Sequence, residues 1–469
     1  MNFYSLKRFF TVALVAGVYA TCQSPALAKE LPPEGGPARD FNLPAIERLT
    51  LDNGLRVTMV PFGKIPKTVI RVDVRTGNLN DGDNVWLSDL TTELMKEGTA
   101  LRSSELIAEQ TARMGGSLSI GTGLDQTYVG LSVLSEFATD AIALAAEALR
   151  QPAFPADQLE RLRSSLQRNL KLSLSRPQSI ASSAFVELLY PDHPYGRAYP
   201  TEQQLAGYTL EQIKDYYQNN FGAQRSHILV GGQFDRDKVL ATIKRNFGDW
   251  QRGPAPLVYP PRISSSHRLK LIDRPDAPQS TVIIGLPVPD QASPEYSALA
   301  QMQTLLGGYF SSRITANIRE DKGYTYSPRS GVNNQFRTAY WTQSADITTE
   351  HTGDALNEIF SEIEIMQNEL PSEVEVERTQ NYQTGTFVLS HATPGGLLAR
   401  ISQMALHGLP NNHLDTYLSK INAITPEQYR EMAKKHLLTD QMTIVIVGDL
   451  DKVIPQLDSV PALAGATRL

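Results

Sequence analysis

Between Thr304 and Ser327 the chain reads TLLGGYFSSRITANIREDKGYTYS, and it holds an arginine and a tyrosine spaced for catalytic-site chemistry, Arg319 and Tyr326. Arginine offers fixed, permanently charged donors and tyrosine a neutral hydroxyl donor. Both suit an oxygen that gains negative charge, where one donor is typically worth about 100- to 1000-fold in rate. Ser311 or Ser312 is a good N-cap for a short helix reaching about Arg319, and Gly323 ends it. Tyr324, Thr325 and Tyr326 then read as the first residues of a strand, with both tyrosines on one face. The same spacing also fits an arginine on its own helix's last carbonyls and a half-buried core tyrosine.

The segment resembles the second-domain signature of the pitrilysin/insulinase zinc peptidases, in which a helix ending in Arg is followed through a Gly by a Tyr seven residues later. That resemblance implies that Arg319 and Tyr326 hold the substrate backbone and the oxygen that gains charge on the scissile carbonyl. Catalytic members carry His-x-x-Glu-His on a first-domain helix shortly before a Gly-Thr. Counted back from Gly98-Thr99, those positions are Asp89, Thr92 and Glu93, so no zinc motif stands here. Two histidines one turn apart would present nitrogens to the ion and the glutamate would activate its water; Thr92 cannot take that proton. The family's third ligand is a glutamate some 75 residues on, yet residues 161–186 contain no Asp or Glu and carry Arg161, Arg163, Arg168, Lys171 and Arg176. Asp89 and Glu93 alone make a poor site for a hard cation, which wants six or more oxygens, and read as a solvated helix face.

The remaining chemistry is sparse. None of the eight histidines lies in a His-x-x-Glu-His or His-x-x-x-His pattern, and His407 and His413, flanking Gly408-Leu409-Pro410, read as exposed loop residues. Neither a Gly-x-Ser-x-Gly elbow nor a phosphate loop occurs. With 44 basic against 50 acidic residues and a net charge of -6, the composition argues against a nucleic-acid partner.

Residues 1–28 read as an export signal: Lys7 and Arg8, an apolar run from Phe9 to Ala20, and Ala26-Leu27-Ala28 as the cleavage site. The expected address is the periplasm, with lipid attachment at Cys22, the single cysteine, as the alternative. No later apolar run is long enough to span a bilayer.

The elements that must position Arg319 and Tyr326 repeat. Thr209–Gly232 (TLEQIKDYYQNNFGAQRSHILVGG) aligns without gaps on Thr425–Gly448 (TPEQYREMAKKHLLTDQMTIVIVG), a constant offset of 216. An offset of about half the chain means duplication of one α+β domain. Expected boundaries are a lead-in at 29–42, a first peptidase-like domain at 43–251, a Pro- and Ser-rich linker at 252–266, a second domain at 267–455 and a tail at 456–469. Over roughly residues 43–455 this resembles the two-domain, mitochondrial-processing-peptidase-like members of the family. The resemblance implies α+β architecture: two homologous α/β-roll domains, each a mostly antiparallel sheet with helices on one face, in a half-clamshell. It further implies the non-catalytic subunit of a heterodimer, with zinc in a homologous partner subunit, none in this chain, and a peptide substrate between them. A homodimer is the alternative assembly without that partner, and a peptidase-fold scaffold or peptide-binding protein is the alternative function. The family's mitochondrial substrate-binding subunit has an extended glycine-rich loop, of which only Gly307-Gly308 remains here.

Overall fold

The computed structural model describes residues 43–263 and 265–469. The expected export signal and lead-in lie outside them.

Two six-stranded sheets form the frame. The first contains β1 (Glu47–Thr50), β2 (Arg56–Pro61), β3 (Lys67–Val74), β4 (Leu118–Thr122), β5 (Thr127–Leu134) and β6 (Ser226–Gly232), in the order β1-β2-β6-β3-β5-β4. The second contains β7 (Arg268–Asp273), β8 (Gln279–Val288), β9 (Arg329–Gln335), β10 (Thr338–Thr348), β11 (Thr443–Gly448) and β12 (Thr467–Arg468), in the order β12-β7-β11-β8-β10-β9. From the second position inward the two orders match strand for strand. Each has the same parallel pair, β2 with β6 and β7 with β11, followed by antiparallel pairing to the far edge; at the near edge β1 is antiparallel to β2, whereas β12 is parallel to β7. The repeat in the sequence therefore carries through to topology. Helices Leu210–Asn220 and Pro426–His436, each opened by a Thr…Gln capping box, sit one offset apart and precede β6 and β11. Residues 456–469, expected as a tail, pack instead: Val460 and Leu463 join the second core and β12 pairs with β7.

Alternation along the strands sends one set of side chains, such as Val57, Met59, Ile70 and Val72, into a core with the first half's own helices. β6 and β11 are buried at every residue, on both faces. Their near-continuous apolar runs are what a strand covered on two sides requires. The second cover comes from the other half. Helix Pro177–Leu189 lays Ala181, Phe185 and Leu189 against Ile283, Val445 and Val447 of the second sheet. Reciprocally, helix Pro394–His407 lies across the first sheet, where a Cβ at Gly231 would meet Leu398 at 3.1 Å. Gly285 makes the matching seat, since its Cβ would come within 2.8 Å of Phe185. Pro177 opens the exchanged helix at a position where its missing N–H costs nothing.

Candidate functional site

The segment carrying Arg319 is built from short turns tied down at several points. Ser312 precedes a single helical turn, Arg313–Thr315, which widens into the π-turn Ala316–Asp321. Arg313 donates through Nε (2.8 Å) and Nη2 (3.1 Å) to the two carboxylate oxygens of Glu375. Asn317 Nδ2 reaches Glu358 and Glu362, each at 2.9 Å, on helix Thr352–Asn368. Burial pushes the Glu375 carboxyl up, but Arg313 and the Ser372 N–H and hydroxyl outweigh it and hold Glu375 down at about 2. With one side anchored, Arg319 faces the opposite way. Its guanidinium lies 4.7 Å over the Phe310 ring and its Nε is 3.2 Å from Glu320.

Gly323, at φ +67°, turns the chain as expected. The next three residues do not begin a strand. Only Thr325 pairs, through one bridge to Ile347 and an Oγ1 bond to the Asp346 carbonyl at 2.7 Å; β9 starts at Arg329. Pro328 has no N–H to give a ladder and the Ser327 N–H turns back to Thr325 Oγ1, so regular pairing waits for the next residue. The two tyrosines consequently part. Tyr324 stacks on His351 at 4.7 Å, while Tyr326 is 85% exposed.

Arg319 and Tyr326 nevertheless line the same cleft, of about 690 Å³, without a hydrogen bond between them among the described residues. Sequence reasoning missed much of this cleft. Arg329 and Asp346 come from the second sheet, and Gln178 and Ser182 from the helix exchanged out of the first half. Asp346 accepts from Thr281 Oγ1 at 2.6 Å and from Gln178 Nε2 at 3.0 Å, a bond that stitches the two halves across the cleft floor. The only local signal was the alternation of β10; Gln178 had none, because its partner lies 168 residues away. The cleft thus presents two guanidinium groups and a phenol toward an open volume, a set that can grip carbonyl oxygens or a developing oxyanion.

The positions aligned with a zinc motif do other work. On helix Leu87–Met95, Asp89 accepts a 2.7 Å bond from Asn78 Nδ2, Thr92 Oγ1 donates to the Asp89 carbonyl at 3.0 Å, and Glu93 pairs with Lys96 at 2.6 Å. The expected solvated face holds for Glu93 only. Asp89 is half-buried beside the buried Asp81, which accepts from the Ser88 N–H and hydroxyl and the Trp86 N–H. Burial raises both carboxyls, Asp81 to about 7, and the neighbouring Asp89 charge adds to that rise. Facing this helix, Arg161 of helix Leu159–Ser175 sits 2.5 Å from Glu97. A zinc ion does not fit: there is an amide donor on Asp89, a hydroxyl at 92, a guanidinium across the way, and among the described residues no cluster of three His, Cys, Asp or Glu.

Two histidines also differ from expectation. His407 is buried at the end of helix Pro394–His407, because that helix seats on the first sheet, and burial lowers its pKa. His413 is half-buried and hydrogen-bonded to Arg400.

The insulinase (peptidase family M16) model matches residues 64–200, and the peptidase M16 inactive-domain model residues 207–382. The chain belongs to the M16 family. Among curated proteins, an uncharacterized zinc protease of Mycobacterium tuberculosis is 25% identical over 89% of this chain and 96% of its own length. One from Bacillus subtilis is 23% identical over 86% and 98%. Among solved structures, a peptidase M16 inactive domain from Pseudomonas fluorescens superposes with a TM-score of 0.80 at 23% identity, covering 86% of this chain and 98% of that one. A protease from Helicobacter pylori gives 0.80 at 18% identity over 87% and 100%. Without a His-x-x-Glu-His, this is a non-catalytic M16 homologue of peptidase-like fold.

Proposed function

We propose that this protein is the non-catalytic subunit of a heterodimeric zinc metallopeptidase of the periplasm, lending Arg319 and Tyr326 to a reaction centred on a homologous partner. The observation that carries this reading is the shared cleft: both side chains line one open volume, while Asp89, Thr92 and Glu93 are occupied with internal contacts. Arg319 would bind the substrate backbone and Tyr326 would donate to the scissile oxygen as it gains charge. The zinc and its water would be the partner's. Exposure of Tyr326 and Phe310 leaves this edge open to a second subunit. The export-signal pattern of residues 1–28 supports the periplasmic address.

The test pairs this chain with an exported homologue that carries His-x-x-Glu-His. Alone, the chain is expected to bind no stoichiometric zinc and to cleave no peptide; in the complex, Arg319→Ala or Tyr326→Phe should slow hydrolysis at least roughly tenfold. Full-rate variants would mean the pair is structural. In that event the peptide-binding scaffold becomes the better reading.

A further inference from the structure

A second cavity, of about 320 Å³, lies among the helices of the second half and shares no lining residue with the Arg319 cleft. Aromatic rings make up part of its lining: Phe387 and Tyr417 stack at 4.6 Å with 14° between their planes, and Tyr296 and Ala300 also line it. Among the described residues that line it, the one lysine or arginine is Arg400. Its hydrogen-bond partners are all neutral: Gln291 Oε1 at 3.4 Å, Gln403 Oε1 at 3.3 Å and His413 Nε2 at 3.1 Å. Burial, with the Arg400 and Lys420 charges, lowers His413 to about 4, so it stands neutral and accepts from the guanidinium. Among the described residues Arg400 forms no ion pair; Asp290 lies close enough for its charge to act, with that of Arg400, on Tyr296 and His407, but it does not bond the guanidinium. A half-buried guanidinium with no carboxylate bonded to it gains from an anion that can reach it directly. Tyr296 accepts from Asn334 Nδ2 at 2.7 Å, which leaves its own hydroxyl hydrogen to donate. An anionic oxygen would therefore meet a planar charged fork and a phenol, with an aromatic slot behind them.

We propose that this pocket binds a small carboxylate attached to an aromatic or branched apolar group. Arg400 pairs with the carboxylate and the Phe387–Tyr417 stack takes the apolar body. The shared chemistry covers two sources, a free organic acid or the C-terminal residue of a peptide. Neither depends on the Arg319 cleft or on a partner subunit, so failure here and failure of the peptidase reading are separate results.

The experiment is calorimetric titration of the isolated full chain with 3-phenylpropionate, its neutral amide, and a short peptide ending in Phe with a free or an amidated C-terminus. Saturable one-to-one binding is expected for the free carboxylates, with each amide at least tenfold weaker. Arg400→Gln should weaken the acids at least tenfold and leave the amides unchanged, and Ala300→Leu, from another wall, should weaken all of them. Preference between the free acid and the peptide identifies the source. Absence of saturable carboxylate binding, or equal affinity for acid and amide on the wild-type chain, overturns the proposal even if the Arg400 variant does not fold; so does a folded Arg400→Gln that binds the acids normally.

Discussion

Replacing Glu375 by Gln tests how the Arg319 segment is held in place. Glu375 is the third residue of helix Glu373–His391, where its carboxylate completes a capping box with Ser372 and also clasps Arg313. Gln keeps the shape and the cap, so the change isolates the ion pair. The carboxyl moves from an ordinary 4.5 to about 2. At about 1.36 kcal/mol for each pH unit, that displacement sets an upper bound of roughly 3.5 kcal/mol. The Glu375 side chain is 29% exposed and Arg313 15%, so solvent screening brings the expected loss to about 2 kcal/mol. The sign follows from linkage: a depressed carboxyl contributes stability present above its unfolded value and lost as pH falls from about 4.5 toward 2. Unfolding free energies from urea titration of wild type and Glu375→Gln should differ by about 2 kcal/mol at pH 7, and by less than half of that at about pH 3. A gap that stays constant over this range would refute the ion-pair account and leave lost packing as the cause.

Three further outcomes are expected. Asp81, 6% exposed and raised to about 7, binds its proton more tightly folded than unfolded, so its contribution favours the fold at low pH and is lost as pH rises through 7. Between about pH 5.5 and 8 the wild type should lose about 2 kcal/mol relative to Asp81→Asn in thermal unfolding, and no relative change would show the carboxyl to be ordinary. At the two helix seats, Gly285→Ala puts a Cβ within 2.3 Å of the Trp341 carbonyl oxygen, whereas Gly231→Ala meets only the end of Leu398 at 3.1 Å. The first should cost about 2 kcal/mol or more and the second less than about 1, read as thermal midpoints. Metal analysis of the purified chain should find well under one zinc per molecule, and a bound stoichiometric ion would reverse the reading of Asp89, Thr92 and Glu93.

How much of this was legible in advance differs between elements. Capping residues and hydrophobic period belong to neighbouring positions, so the repeated stretches that hold the helices at 210–220 and 426–436, and their offset, could be read directly. The same holds for Gly323 and for the absence of His-x-x-Glu-His. Tyr326 was misassigned because strand propensity was weighed without Pro328, which denies the ladder its donor. Asp89 and His407 were taken as exposed because helical spacing names a face but not what covers it. Asn78 and Asp81 enclose the first, and a sheet from the other half encloses the second.

By itself the sequence determined the duplicated α+β architecture, the missing metal ligands and the two residues worth testing, since each is a local pattern of residue types. Tertiary structure alone decided that the halves exchange a helix, that Gln178 and Ser182 share a cleft with Arg319 and Tyr326, and that Arg400 reaches a partly aromatic cavity where, among the described residues, it bonds only Gln291, Gln403 and His413. Those contacts join residues far apart in the chain, and burial settles their energies only once the sheets and exchanged helices have packed.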